Sequence, residues 1–237
     1  MKKWTKLLAA FLMACLALAG CGTDTPKGDG TPGTEGNIPA QDVLIYAVQV
    51  DPQSFNPDMK SDDYAYSANQ NIYSRLVKLN ANDQILPDLA ESWEFSEDGL
   101  TLTFHLHEGM KWHDGEPFTS ADVKWTLDTM KEQKWTKSDS VASVTSIECP
   151  DDNTVVLNLS QRDVAIVAKL GWYATFIMPE HIWNDPQYSD FVSNPAAWNP
   201  IGTGPYKFEK YEAGVGTTLV KNEEYFGGQP IIEKLIF

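Results

Sequence analysis

From residue 41 onward, apolar positions fall into short runs separated by turn residues, some at strand spacing and some at helix spacing. Val43 to Val50 is a nearly unbroken apolar run closed by Asp51-Pro52, which predicts a first strand. Ala65, Ala68, Ile72 and Leu76 recur at helical spacing and predict a helix over 64–76. Residues 100–106 (LTLTFHL) alternate strictly, the pattern of a strand with one buried face. Trp93 and Phe95 precede that strand, and Ser96-Glu97-Asp98-Gly99 joins the two as a hairpin. Thr119-Ser120-Ala121-Asp122 opens a helix. Thr119 is placed to cap the first amides, Asp122 sits at the positive end, and Val123, Leu127 and Met130 form the apolar face. A second hairpin is predicted from 143–149 and 154–159 around Pro150-Asp151-Asp152-Asn153, then a short helix over 164–170 and another started by Pro179. Runs at 206–212, 217–222 and 231–237 predict three closing strands. The fold class is therefore mixed α/β. The sequence stops inside the last apolar run, and the expectation is that this strand has a partner beyond residue 237.

The N-terminus follows a different pattern. Lys2, Lys3 and Lys6 precede an apolar run from Leu7 to Ala19 that is too short to span a membrane, the layout of a secretory signal over 1–20. It ends in Leu18-Ala19-Gly20-Cys21, which resembles the lipobox of bacterial lipoproteins. That resemblance implies lipid attachment at Cys21 and an extracytoplasmic protein anchored to the membrane. Residues 21–40 are rich in Gly, Thr and Pro with one aliphatic residue, Ile38, and read as a flexible tether.

The charge narrows the partners. Removing the three lysines of the first 20 residues leaves 15 basic against 33 acidic residues, a net charge of −18. Such a balance argues against nucleic acid and against electrostatic adhesion to anionic lipid. After Cys21 only Cys149 remains, so an intrachain disulfide is not expected.

At residues 87–125, PDLAESWEFSEDGLTLTFHLHEGMKWHDGEPFTSADVKW, the chain strongly resembles the signature region of the family 5 solute-binding proteins. These serve ABC importers of oligopeptides, dipeptides, nickel and opines. The shared elements are Ala90 to Trp93, Asp98-Gly99, the alternating strand, Trp112 to Gly115, and the helix opened by Thr119 with Asp122-Val123. Asn199 to Tyr206 is similar to the family's GTGPY segment, and Asn222 to Phe226 to a turn found there. His107 stands where the family usually carries Lys or Arg. The resemblance implies a type II periplasmic-binding-protein-like fold. Residues 41–75 and 158–237 would form the first lobe and 76–157 an inserted subdomain, with a second lobe after residue 237. It implies peptide or small-solute ligands, permease subunits as partners, and no cofactor. Because the ligand would be enclosed between two lobes, residues 41–237 alone are expected to bind weakly or not at all.

Carried over by position, the first-lobe wall would comprise Ser61, Asp62, Asp63 and Tyr64, then Trp172 and Tyr173. The acids would offer a carboxylate to a ligand amine, and the aromatics a flat apolar contact with a polar edge. The bland alternative is a solvated acidic loop and a packed tryptophan. Gly202-Thr203-Gly204 lacks the lysine of a phosphate loop and is expected to permit a close backbone approach. His105 and His107 share a strand face, but no third ligand has metal-site spacing among the four histidines. Carbohydrate or nickel-chelate binding by the same fold remains open. A secreted lipoprotein hydrolase is disfavoured, because neither a nucleophile elbow nor a His-Glu-x-x-His motif occurs.

Overall fold

The computed structural model describes residues 42–57, 62–172, 175–188, 191 and 193–237, all within the unit Ala40–Phe237. Cys21, the signal segment and the tether lie outside the described residues, as do Ser61 and Tyr173.

Three antiparallel or mixed sheets organise the described residues. The first has the order β1-β10-β9-β8, from β1 (Val43–Ile45), β10 (Lys234–Ile236), β9 (Gly216–Lys221) and β8 (Tyr206–Glu212). β1 pairs parallel to β10, with Leu44 opposite Leu235, whereas β10–β9 and β9–β8 are antiparallel. A parallel pair needs a long crossover, and here the crossover is almost the entire described chain. The closing run at 231–237 therefore finds partners on both sides within this sequence. β1 stops at Ile45 rather than reaching Val50, because the partner strand offers only three residues.

A two-stranded ribbon, β2 (Val77–Leu79) with β3 (Ile85–Pro87), leads into the second large sheet. That sheet has the order β4-β5-β7-β6, from β4 (Ala90–Phe95), β5 (Thr101–Leu106), β6 (Val144–Asp151) and β7 (Thr154–Leu159). The alternation in β5 buries Leu102, Phe104 and Leu106, and β7 answers with Val155, Leu157 and Leu159. Leu102 stands opposite Leu157 and Phe104 opposite Val155. Helix α2 (Ser120–Glu132) packs Val123, Leu127 and Met130 into the same core.

Helix α1 (Asp63–Ile72) serves the first sheet instead. Ala65, Ala68 and Ile72 join Phe55, Tyr73, Phe176, Tyr206, Leu219 and Leu235 in a second apolar cluster. The described residues also form two single-turn α-helices, α3 (Ile166–Leu170) and α4 (Glu180–Trp183), the latter entered through Pro179. Among the described residues no helix is long and apolar enough to cross a membrane.

Candidate ligand-binding wall

The start of α1 is fixed by Asp62. Its Oδ1 accepts the amides of Tyr64 and Ala65 at 3.0 and 3.2 Å, and its Oδ2 accepts the Gln53 amide at 2.6 Å. The carboxylate thus caps orphan helix donors and ties the loop after β1 to the helix start. Asp63 follows as an exposed acid in the first turn, where the helix dipole favours it, and Tyr64 is half-buried. Of the two candidate acids, Asp62 is committed to the backbone on both oxygens.

The other candidate segment lies after α3. Trp172 is 55% exposed, and Phe176, just beyond it, is fully buried. Phe176 meets Tyr66 of α1 and Tyr73, both with ring centroids 5.9 Å away. Arg75 closes this cluster: its Cζ lies 4.1 Å from the Phe176 ring centroid, and its Nη2 donates to the Tyr66 hydroxyl at 2.9 Å. The Ile177 amide donates to the Ser74 carbonyl at 3.0 Å. The first turns of α1 and the segment containing Trp172 are thereby joined through Tyr66, Phe176 and Arg75. The motif at 87–125 gave no sign of these residues; the only hint was that Arg75 is one of two arginines in the sequence.

The far end of α1 is held by the glycine loop. The Gly204 amide donates to the Ile72 carbonyl at 2.8 Å, an acceptor the helix itself leaves unused. A Cβ on Gly202 would sit 1.9 Å from that carbonyl oxygen, and one on Gly204 would sit 2.4 Å from the Asn71 oxygen. The close approach expected of this loop is thus to the last turn of α1. Asn222 Nδ2 donates to the Gly204 carbonyl at 3.1 Å, and its Oδ1 accepts the Glu224 amide.

Each of the four histidines has its own role. His105 and His107 lie 3.7 and 3.8 Å from Glu94 and Glu91 across the β4–β5 pair, and His107 also packs on Phe226. His181 pairs with Asp114 at 2.9 Å. His113 is half-buried, and desolvation pulls its pKa down to about 4. Among the described residues no group of three His, Cys, Asp or Glu is placed to hold a metal ion. Cys149 is a free thiol that donates to the Ser120 carbonyl, and burial pushes its pKa up.

The architecture is that of a periplasmic binding protein over part of its length. Residues 84–237 match the family described as bacterial extracellular solute-binding proteins, family 5 Middle, and the chain belongs to that family. It is 29% identical over 217 residues to the dipeptide-binding protein of Escherichia coli, covering 82% of this chain and 40% of that one. Its fold is similar to the substrate-binding protein CtaP of Listeria monocytogenes, with TM-score 0.74, 31% identity, and coverage of 84% and 40%. It is also similar to DppA of Helicobacter pylori in complex with the peptide STSA, with TM-score 0.73, 28% identity, and coverage of 82% and 42%. The chain spans less than half the length of the curated relatives it matches.

Proposed function

We propose that this chain forms part of a lipid-anchored receptor that captures short peptides outside the cytoplasmic membrane and delivers them to the permease subunits of an ABC importer. The observation that carries the reading is the placement of Trp172. A large aromatic side chain is left in solvent, while Phe176, four residues further on, is buried against α1. Exposed tryptophan over a rigid support suits a ligand that brings its own apolar and hydrogen-bonding surface. Ser61, Asp63, Tyr64 and Tyr173 are assigned to the same wall, with Asp62 setting the start of α1. Cys21 would carry the lipid, with residues 21–40 as the tether, and peptides dissociate unchanged.

Saturation-transfer NMR with millimolar tripeptides tests the binding role of the chain, since that method detects weak complexes. The expected result is saturable transfer to the peptide with no hydrolysis products. Release of free amino acids overturns the reading, and transfer that saturates at micromolar peptide overturns the expectation that residues 41–237 alone bind weakly or not at all. For the anchor, Cys21→Ala is expected to move the protein from the membrane to the soluble fraction of cells, and unchanged retention would remove the lipid assignment.

A further inference from the structure

Arg75 and Arg162 are the two arginines of the chain, and they are used in opposite ways. Arg162 donates Nε to the Asp98 carbonyl at 2.8 Å and Nη2 to the Glu97 carbonyl at 3.0 Å, pinning the β4–β5 turn. Arg75 has one side-chain acceptor among the described residues, the Tyr66 hydroxyl. Its Nε is sealed from solvent and meets no acceptor. No carboxylate of the described residues lies within ion-pair distance of its guanidinium; Asp88, whose Oδ2 accepts the Arg75 amide at 2.9 Å, acts on its charge from further off and lies 3.8 Å from Lys78. Lysines do find acids: Lys124, Lys169, Lys221 and Lys234 each lie within 3.0 Å of a carboxylate oxygen.

A guanidinium presents five N–H donors in a planar fork that matches a carboxylate. One face of this fork lies on the Phe176 ring, so an incoming anion meets its edge. The bond to Tyr66 fixes the fork between the first turns of α1 and the segment bearing Trp172. The geometry points to Arg75 as the group that receives a carboxylate of the bound solute, making the site prefer ligands with a free carboxylate over neutral ones. This inference rests on the receptor reading above and adds a specificity determinant to it.

The test uses the 237-residue chain labelled with ¹⁵N-arginine and ¹⁵N-tryptophan. Two Arg Nε–H signals are expected, that of Arg75 being identified by its loss in Arg75→Lys, and the Trp172 indole signal by its loss in Trp172→Phe. The probes are N-acetyl-Ala-Ala with a free carboxylate and its C-terminal amide, at matched ionic strength. The Arg75 signal is expected to shift saturably with the acid and to stay in place with the amide, while the Arg162 signal does not move. The Trp172 indole shifts with both, and the amide binds about tenfold more weakly. Arg75→Lys keeps part of that preference and Arg75→Met loses it. If the indole responds equally to both probes and the Arg75 signal is still, the carboxylate role fails and the receptor reading survives. If the Arg75 signal follows both probes with equal affinity, Arg75 is only a clamp and the inference fails. If no signal moves, the carboxylate role fails.

Discussion

Nε2 of His113 donates to the carbonyl of Gly204 at 3.0 Å, while Nδ1 of the same ring accepts the amide of Gly202 at 3.2 Å. The carbonyl can only accept and the amide can only donate, so the ring is neutral with its proton on Nε2. The His113 amide donates in turn to the Gly202 carbonyl at 2.9 Å. One residue of the Trp112–Gly115 turn thus clasps the loop that supports the end of α1.

This clasp makes stability depend on pH. Burial is the main cause that lowers the His113 pKa from 6.5 to about 4; the Gly204 carbonyl and Asp114 act against it, and Lys207 adds to it. Between those values the unfolded chain binds a proton that the folded chain refuses. The contribution is complete above about pH 6.5 and is lost as pH falls toward 4, by up to about 3 kcal/mol. Urea unfolding near pH 7 and near pH 4.5 is expected to show a larger loss for the parent chain than for His113→Gln. Equal losses would show that other groups govern the acid side. Asp98 and Asp163, whose pKa values lie below the ordinary carboxylate range, act at lower pH.

Asp122 is a second junction. Its Oδ2 accepts the Thr119 amide at 3.0 Å and the Trp112 indole at 3.4 Å, and its Oδ1 accepts the Glu180 amide that opens α4. With Thr119 it completes a reciprocal capping box. Burial raises its pKa, and the three donors pull it back. Asp122→Ala leaves those donors unsatisfied and is expected to cost about 2–4 kcal/mol. Asp122→Asn, which keeps one acceptor oxygen, should cost less. The midpoint of urea unfolding measures both, and a midpoint shift equal for the two variants would mean that Asp122 acts by shape alone.

What the sequence revealed follows from what is local. The alternation of 100–106, the capping signal at Thr119 and the two hairpins need only neighbours along the chain, and they appear as expected except that Pro150 and Asp151 belong to β6, leaving Asp152-Asn153 as the second turn. The ends of elements were less legible. Helix α1 was expected to reach Leu76, yet it stops at Ile72, whose carbonyl receives an amide from Gly204. β2 and β3 are too short to show a period, and β1–β10 pairing joins the two extremes of the described chain. At the wall, Asp62 was legible as an acid near a helix start, but the geometry of its two oxygens was not. Arg75 had no local pattern, because its partners Tyr66 and Phe176 come from separate segments.

The glycine loop yields a contrast between two kinds of glycine. Gly202 is constrained by space, because a Cβ there would overlap the Ile72 carbonyl oxygen at 1.9 Å. Gly109 is constrained by conformation, with φ +70° and nothing within 4 Å of an added Cβ. Gly202→Ala must move the backbone of α1 or of the loop and is expected to cost at least about 3 kcal/mol, whereas Gly109→Ala should cost about 1 kcal/mol. Thermal unfolding ranks them directly. A Gly202→Ala variant as stable as Gly109→Ala would show that the loop yields easily.

Asp62 and Trp172 allow folding and ligand contact to be separated. Asp62 serves three backbone amides, so Asp62→Ala should lower stability by about 1–2 kcal/mol and alter ligand binding only through the displaced helix start. Trp172 is 55% exposed, so Trp172→Ala should change stability by no more than about 0.5 kcal/mol. If Trp172 lies against the ligand, that same variant weakens peptide binding about tenfold, the scale expected from losing one aromatic contact. The two variants should therefore fall on opposite sides of a plot of unfolding midpoint against peptide affinity. Normal peptide affinity in Trp172→Ala would detach this residue from the binding wall, and an unfolding midpoint lowered as far as in Asp62→Ala would make it a packing residue instead.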